Sequence, residues 1–153
     1  MLIVIAHNIR SLHNVGSIFR TSEGAGVSKV YLTGYTGFPP RREIAKVALG
    51  SENRIPWEYR RNISYVIKKL KLEGYQIVVC EQDSRSIDFK NLVPNKKIAL
   101  LMGNEVRGVS KSLRDQADQL IHIPMLGSRK SFNVSVAFGI VAYDIGKKIC
   151  SLY

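Results

Sequence analysis

The sequence IALLMGNEVRGVS at residues 98–110 decides the class of fold. Its first part, Ile98–Met102, is a short apolar run, which predicts a buried strand. Gly103 and Gly108 follow, and glycine permits a tight turn in which the backbone approaches another group closely. In open α/β sheets, ligands bind beyond the carboxyl ends of the strands. The stretch therefore predicts a strand that ends at a binding loop.

Apolar runs and helical spacings alternate on both sides of this stretch. Further strands are predicted at Leu2–Ala6, Val30–Leu32, Ile77–Cys80 and Leu120–Ile123. Helices are predicted at 15–22 with Asn14 as N-cap, at 63–70, at 110–118 with Ser110 as cap, and at 134–149 with Asn133 or Ser131 as cap. This alternation implies an α/β fold with a mostly parallel sheet and helices on both faces. The length of 153 residues predicts a single domain, 1–153.

The chain is strongly basic. It contains 23 Lys and Arg residues against 12 Asp and Glu residues, and the resulting net charge of +11 indicates a polyanionic partner. Many basic residues occur as pairs along the chain, such as Arg41 and Arg42 or Arg60 and Arg61, as expected for a folded surface that holds phosphates. Any single pair is equally well explained as a solubilising charge. The overall excess is what favours a polyanion.

Membrane and metal functions are disfavoured. The longest apolar run is far below the roughly 20 residues that cross a bilayer, and the first residues do not form a secretory signal. We therefore expect a cytoplasmic protein with no membrane partner. Cys80 and Cys150 lie far apart, with no further Cys or His at ligand spacing, which predicts neither a metal site nor a disulfide framework.

Three polar segments follow predicted strands and are candidate parts of one site. They are His7–Arg20, Gly103–Ser110 and Ile123–Ser135. The second segment is close to a phosphate-binding P-loop, but Val109 stands where that loop requires lysine, so nucleoside triphosphate hydrolysis is disfavoured. Taken one at a time, Arg20, Glu105 and Asn133 have ordinary explanations as a solvated arginine, a surface carboxylate and a helix cap.

Together, the three segments resemble the signature motifs of the SpoU family, in the SPOUT superfamily of RNA methyltransferases. The matching residues are, in order, Asn8, Asn14, Gly16, Arg20 and Gly24 or Gly26, then Gly103, Glu105 and Gly108, then Ile123, Pro124, Met125, Ser131, Asn133, Val134 and Ser135. Phe132 departs from the pattern, since the family commonly has leucine there. Residues 46–57 also look like the stretch between the first two motifs in tRNA-modifying members. The resemblance covers nearly the whole chain.

This resemblance implies a fold, a cofactor and an assembly. The family fold ends in a C-terminal trefoil knot, and its members are homodimers with active sites at the subunit interface. The implied cofactor is S-adenosylmethionine, bound in the knotted loops. On this chain the implied cofactor-binding residues are Met102, Gly103, Asn104, Gly108, Ile123, Met125, Ser131, Phe132 and Asn133.

The implied reaction is methylation of an RNA ribose 2'-hydroxyl. The family analogy assigns this chemistry to Arg20, Asn14, Glu105, Ser131 and Asn133. Arg20 would contact the reacting hydroxyl or the adjacent phosphate, reaching across to a partner's cofactor, while Asn14 and Glu105 would orient Arg20 or the ribose. Two roles of Arg20 stay open: it could accept the proton of the hydroxyl, or it could anchor the phosphate. The anchor is favoured because a guanidinium stays protonated in proteins.

The RNA target is less determined than the reaction. Candidate RNA-binding residues are Arg10, Arg20, Arg41, Arg42, Lys46, Arg54, Arg60 and Arg61. The similarity over residues 46–57 favours tRNA, with rRNA as the alternative, and recognition through a partner protein stays open. A non-catalytic RNA-binding module and a base methyltransferase are further alternatives. The Arg20 and Ser131-x-Asn133 signatures favour ribose methylation.

Overall fold

A seven-stranded parallel sheet forms the centre of the protein in the computed structural model, which describes residues 1–153. The strands are β1 (Leu2–His7), β2 (Val27–Thr33), β3 (Trp57–Arg60), β4 (Gln76–Cys80), β5 (Ile87–Asp88), β6 (Ile98–Met102) and β7 (Gln119–His122). Their order across the sheet is β3-β2-β1-β6-β4-β7-β5, and every neighbouring pair is parallel. All carboxyl ends therefore lie along one edge of the sheet.

Helices cover both faces of this sheet. They are α1 (Leu12–Gly24), α2 (Arg42–Ala48), α3 (Ser51–Arg54), α4 (Ile63–Leu72), α5 (Lys111–Arg114) and α6 (Val134–Cys150), with a 3-10 turn at Phe89–Asn91. Successive strand residues point to opposite faces, so Leu100 belongs to the core cluster that contains buried residues of α1, α2 and α6, whereas Leu101 belongs to the cluster that contains those of α4 and α5. The predicted α/β fold with helices on both faces is confirmed. The trefoil knot stays a prediction.

The sequence prediction missed the shortest elements. β3, β5, α2 and α3 were not predicted, because short helices and half-buried edge strands carry too few residues for a periodic pattern. The predicted helix at 110–118 is wrong in extent, since α5 ends at Arg114. Ser110 occupies the N-cap position of α5, but its side chain makes no capping hydrogen bond. No helix combines the length and the apolar character needed to cross a membrane.

The start of α1 differs from the prediction in a way that matters for the site. Ser11, not Asn14, is the N-cap, and its hydroxyl accepts from the Asn14 backbone N–H at 3.2 Å. The helix begins early enough for Leu12 to pack against the core. The Asn14 side chain is thereby released from capping and turns towards Glu105. For α6, Asn133 is the cap, and its Oδ1 accepts from the Ser135 N–H at 2.9 Å.

The loop between β2 and α2 is only partly exposed. Thr36 is buried, and its hydroxyl oxygen accepts from the Ile9 N–H at 3.0 Å. The same hydroxyl lies 3.0 Å from the Ala6 carbonyl oxygen, at the carboxyl end of β1. A buried hydroxyl needs such partners, and they fasten this loop to the edge of the sheet where the predicted site lies.

Candidate active site

A cavity of about 300 Å³ lies at the carboxyl ends of β4, β6 and β7. It is lined by Cys80, Glu81, Gln82, Met102, Gly103, Asn104, Glu105, Val106, Arg107, Gly108, His122, Ile123, Met125, Lys130, Ser131, Phe132, Val134 and Ala137. This size and this mixture of apolar walls with a few polar groups are typical of a small-molecule site. Its position is the one at which open parallel sheets bind ligands.

The structure brings almost all of the predicted cofactor residues to this cavity. Those that line it are Met102, Gly103, Asn104, Gly108, Ile123, Met125, Ser131 and Phe132. Asn133 does not line it and instead lies in the wall of a neighbouring cavity, where it caps α6. The roles of these residues in cofactor binding stay predictions.

Sequence reasoning missed the part of the cavity that follows β4. Cys80, Glu81 and Gln82 line it, as do His122 and Lys130. β4 lies between β6 and β7 in the sheet, so its carboxyl end must face the same space. Applying the strand-end rule to β4 would have indicated Glu81. The segment after β4 was passed over because it has neither a glycine pair nor a motif.

A tight turn from Gly103 to Gly108 forms one wall of the cavity. Asn104 and Gly108 exchange backbone hydrogen bonds of 3.2 and 2.9 Å, and Gly108 has a φ of +64°. A Cβ on Gly103 would lie 2.7 Å from the Gly108 carbonyl oxygen, and one on Gly108 would collide with the Glu81 carboxylate. That carboxylate accepts from the Val109 N–H at 2.8 Å. The turn therefore has room for glycine alone at both positions.

Glu105 connects the turn to the start of α1. Its carboxylate accepts from the backbone N–H groups of Arg10 and Ser11 at 2.9 and 3.0 Å, and from the Asn14 amide at 3.1 Å. Burial would raise the pKa of Glu105, but these three hydrogen bonds together outweigh burial and hold its pKa below the ordinary value of 4.5. Glu105 is thus a half-buried anchor that accepts hydrogen bonds from N–H groups in its charged form.

Replacing Glu105 with glutamine is expected to lower the free energy of unfolding by about 1–3 kcal/mol at neutral pH, because charge-assisted hydrogen bonds to three N–H groups are weakened. Since the folded-state pKa is depressed, the carboxylate stabilises the protein fully above pH 4.5 and loses this contribution as the pH falls through the folded-state pKa. Urea denaturation at neutral pH and below pH 4.5 measures the difference. Glu43→Gln, at an exposed carboxylate of α2, is the control. A loss for Glu105→Gln that is independent of pH would contradict this account.

The same network reaches the third motif. The Asn133 amide donates to Asn14 Oδ1 at 3.3 Å, so Glu105, Asn14 and Asn133 form one chain of hydrogen bonds across three distant segments. Ser131 lies beside it in the cavity wall and is exposed. Three of the predicted catalytic residues are therefore hydrogen-bonded together, and one of them, Glu105, lines the same cavity as Ser131.

Arg20 lies outside this network. It is exposed on α1 and makes no hydrogen bond or ion pair within the chain. No hydrogen bond joins Arg20 to Asn14 or Glu105 within one chain, because Asn14 is near the start of α1 and Arg20 is on its solvent-facing side. That Asn14 and Glu105 orient Arg20 or the ribose stays a prediction. Its orientation away from the core agrees with the helical spacing.

The predicted RNA-binding residues are all exposed, but they differ in their partners. Two of them are held by acidic side chains: Arg54 binds Glu23 through two hydrogen bonds of 2.6 and 2.9 Å, and Arg60 binds Glu58. The remaining basic side chains make no ion pair within the chain, and they are Arg10, Arg20, Arg41, Arg42, Lys46 and Arg61. These unpaired charges are the ones available to an anion.

The parallel sheet and the cavity at its carboxyl edge define an α/β protein with a candidate small-molecule site, lined by residues from three stretches of the chain, 80–82, 102–108 and 122–137. The SpoU rRNA Methylase family model matches residues 1–143, which include all three segments. The chain belongs to this family.

Similar proteins include methyltransferases of both tRNA and rRNA. A Staphylococcus haemolyticus protein assigned to the TrmH family of tRNA/rRNA methyltransferases is 30% identical over 146 residues, which are 95% of this chain and 58% of that protein. The A. aeolicus TrmH/SpoU tRNA modifying enzyme is 32% identical with a TM-score of 0.89, over 99% of this chain and 76% of that one. The AdoMet-bound rRNA methyltransferase from Sinorhizobium meliloti is 29% identical with a TM-score of 0.89, over 95% of this chain and 56% of that one. The chain spans 58% of the length of the Staphylococcus relative.

Proposed function

We propose that this protein transfers a methyl group from S-adenosylmethionine to a ribose 2'-hydroxyl of RNA in the cytoplasm, with tRNA as the favoured substrate. The observation that carries the proposal is the junction of the cavity with the Glu105, Asn14 and Asn133 network. A small-molecule cavity and a fixed polar cluster at its mouth are what a two-substrate transfer requires, because the two reactants must meet in one orientation.

The cavity suits S-adenosylmethionine in its size and in the chemistry of its lining. The turn is packed so tightly that it accepts glycine alone at 103 and 108, so the backbone that borders the cavity there carries no side chain and a ligand can approach it closely. Met102, Ile123 and Phe132 offer apolar walls, while Asn104 and Glu81 supply polar groups. The structural neighbour from Sinorhizobium meliloti is AdoMet-bound. When bound, the cofactor supplies a methyl group on a sulfonium, a strong electrophile that needs no further activation.

The contribution of the protein is then positioning. Holding two reactants in line is worth about 7–11 kcal/mol. The Glu105 network fixes the start of α1 against the cavity, and the cap of α6 is fixed against both. Arg20 would hold the phosphate next to the reacting ribose with its planar guanidinium, which suits two phosphate oxygens at once.

A homodimer would bring Arg20 to a cavity. Within one chain Arg20 has no hydrogen-bond or ion-pair partner. Helix α1, which carries Arg20, packs closely against α6: a Cβ on Gly146 of α6 would lie 2.7 Å from the carbonyl oxygen of Ala25, the C-cap of α1. α6 exposes an apolar face at helical spacing, formed by Val136, Ile140 and Tyr143. Burying this face against a second copy would place α1 of one protomer, with Arg20, near the cavity of the other.

Substrate choice rests on two supports. The A. aeolicus relative, a tRNA modifying enzyme, shares 32% identity over 99% of this chain. The basic residues Arg41, Arg42 and Arg61 are exposed and make no ion pair within the chain, so they are available to a phosphate backbone. Because phosphate binding releases counterions, the affinity for RNA is expected to fall steeply with salt.

Transfer of radiolabelled methyl from S-adenosylmethionine into bulk tRNA and bulk rRNA tests the proposal. After digestion to nucleosides, the label is expected in a 2'-O-methylnucleoside, and mainly from tRNA. Label in rRNA alone would reassign the substrate, and label on a base would overturn the ribose assignment. RNA binding without cofactor binding would identify a non-catalytic module.

A further inference from the structure

Tyr35 is an exposed aromatic residue that is fixed at both of its ends. Its exposed fraction is 59%. Its backbone N–H donates to Asn8 Oδ1 at 3.1 Å, and its hydroxyl accepts from Asn104 Nδ2 at 2.9 Å. The ring between these two anchors therefore has a defined position although it faces solvent.

The two anchors are themselves part of the site. Asn104 is buried and donates a second hydrogen bond to the Asn8 carbonyl oxygen at 2.9 Å. Its Oδ1 accepts from the Val106 and Arg107 N–H groups and so shapes the glycine turn. Asn8 has a φ of +55°, and a Cβ on Gly34 would collide with its side chain. The backbone around Tyr35 is therefore locked to the turn that forms the cavity wall.

Tyr35 lies beside the cavity without lining it. Asn104 is in the cavity wall, and the next residue, Glu105, begins the network to Asn14, so the ring stands next to both. The loop continues to Arg41 and Arg42, and the Gly34 N–H donates to the Arg61 carbonyl oxygen at 3.2 Å. A ring here is placed for the RNA rather than for the cofactor.

We propose that a base of the RNA substrate, at or next to the methylated nucleotide, stacks on the exposed ring of Tyr35. This inference rests on the proposed RNA methyltransferase function. A ring that is already fixed loses little conformational freedom when a base covers it, so the full stacking energy contributes to binding. Stacking requires only the flat face of a base, and the surrounding arginines supply the phosphate contacts. A second protein chain is a poorer match for this surface, because it would leave the basic residues unpaired.

Tyr35→Leu is expected to weaken binding of bulk tRNA by about tenfold, which lies within the range measured for loss of one stacked base. Tyr35→Phe keeps the ring and is expected to stay within about threefold of the wild type. The matched control is Tyr153→Leu, an exposed tyrosine beside Lys96 at the opposite edge of the sheet. Cofactor affinity and methyl transfer are measured on the same proteins.

A second readout reports stacking itself. A single-stranded RNA oligonucleotide with 2-aminopurine is expected to lose fluorescence on binding the wild type, Tyr35→Phe and Tyr153→Leu, and to lose less on binding Tyr35→Leu. Equal affinity and quenching for Tyr35→Leu and the wild type would overturn the inference. Equal weakening by Tyr35→Leu and Tyr35→Phe would overturn it too, because the hydroxyl contact to Asn104 would then be what matters. If Tyr35→Leu fails to fold, Tyr35→Trp replaces it and is expected to bind RNA at least as tightly as the wild type.

Failure of this inference is distinguishable from failure of the proposed function. A wild type that binds RNA but transfers no methyl group would refute the catalytic proposal, while the comparison of Tyr35→Leu with Tyr153→Leu would still decide the role of the ring. A wild type that transfers methyl groups with a Tyr35→Leu variant of unchanged KM for RNA would refute only the stacking.

Discussion

Replacing Arg20 with alanine is expected to reduce methyl transfer to RNA by about 100- to 1000-fold, the size of loss that follows removal of one preorganised group at a reacting centre. Arg20 is exposed and unpaired within the chain, so its loss leaves no buried charge and no broken network. Cofactor affinity and thermal stability are therefore expected to stay unchanged. Labelled methyl transfer and calorimetric titration with S-adenosylmethionine measure the two effects separately.

Two further variants distinguish the role of the guanidinium group from an effect of net charge. Arg20→Lys keeps the charge but loses the planar fork, and it is expected to recover only part of the activity if Arg20 grips a phosphate. Lys68→Ala removes an exposed charge from α4, on the other face of the sheet, and serves as the control for net charge. Near-normal transfer by Arg20→Ala would refute the assignment of Arg20 to the reaction.

Replacing Gly103 with alanine is expected to weaken S-adenosylmethionine binding at least about 100-fold, since close contacts with the Val109 side chain and the Gly108 backbone must be relieved by movement of the cavity wall. The added methyl would lie 2.6 Å from Val109 Cγ2 and 2.7 Å from the Gly108 carbonyl oxygen. Neither neighbour is a flexible side-chain end. Calorimetric titration with the cofactor measures the loss.

Gly127→Ala is the matched control for this substitution. Gly127 lies in the loop between β7 and α6, and a Cβ there would have no neighbour within 4 Å. Its variant is expected to bind the cofactor normally. Normal binding by Gly103→Ala as well would mean that the cofactor does not use this wall, and the proposed site would have to move to the neighbouring cavity.

Mixing the two variants tests whether Arg20 acts in the partner's site. In a mixed dimer of Arg20→Ala and Gly103→Ala, one site combines an intact cavity with an intact Arg20 only if Arg20 reaches across the interface. Random exchange makes half of the dimers mixed, each with one complete site, so about a quarter of the wild-type activity is expected to return. No recovery would place Arg20 in the site of its own chain.

Local patterns in the sequence predicted most of the fold. The apolar run of β6 and the spacing of Ile63, Val66, Ile67 and Leu70 in α4 are repeated within a few residues, so they determine an element without reference to the rest of the chain. β3 could not be found in this way. It is a half-buried edge strand, and it forms because β2 offers it free hydrogen-bonding groups.

The sequence predicted which residues belong to the candidate site better than it predicted the contacts between them. The motif residues around Gly103 and Met125 line the cavity as expected, whereas the stretch after β4 was missed. Asn14 has the residue type of a helix cap, and nothing within its own segment shows that Ser11 takes the cap instead. Arg54 and Arg60 were predicted to bind RNA, and in the structure Glu23 and Glu58 bind them. The packing of α3 against α1 decides the Arg54–Glu23 pair, whereas Glu58 lies two residues before Arg60 on the same strand, β3, which was not predicted.

The sequence by itself determined the alternation of strands and helices, the glycine turn after β6 and membership in a family. Each of these depends on short stretches or motifs whose residues are close to one another along the chain. The tertiary structure alone decided that β1 pairs with β6, which brings Ser11 and Asn14 to Glu105 and Asn8 to Asn104. These partners are more than 90 residues apart in sequence. Their hydrogen bonds exist because parallel strands place all their carboxyl ends at one edge, and the order of strands determines which ends become neighbours.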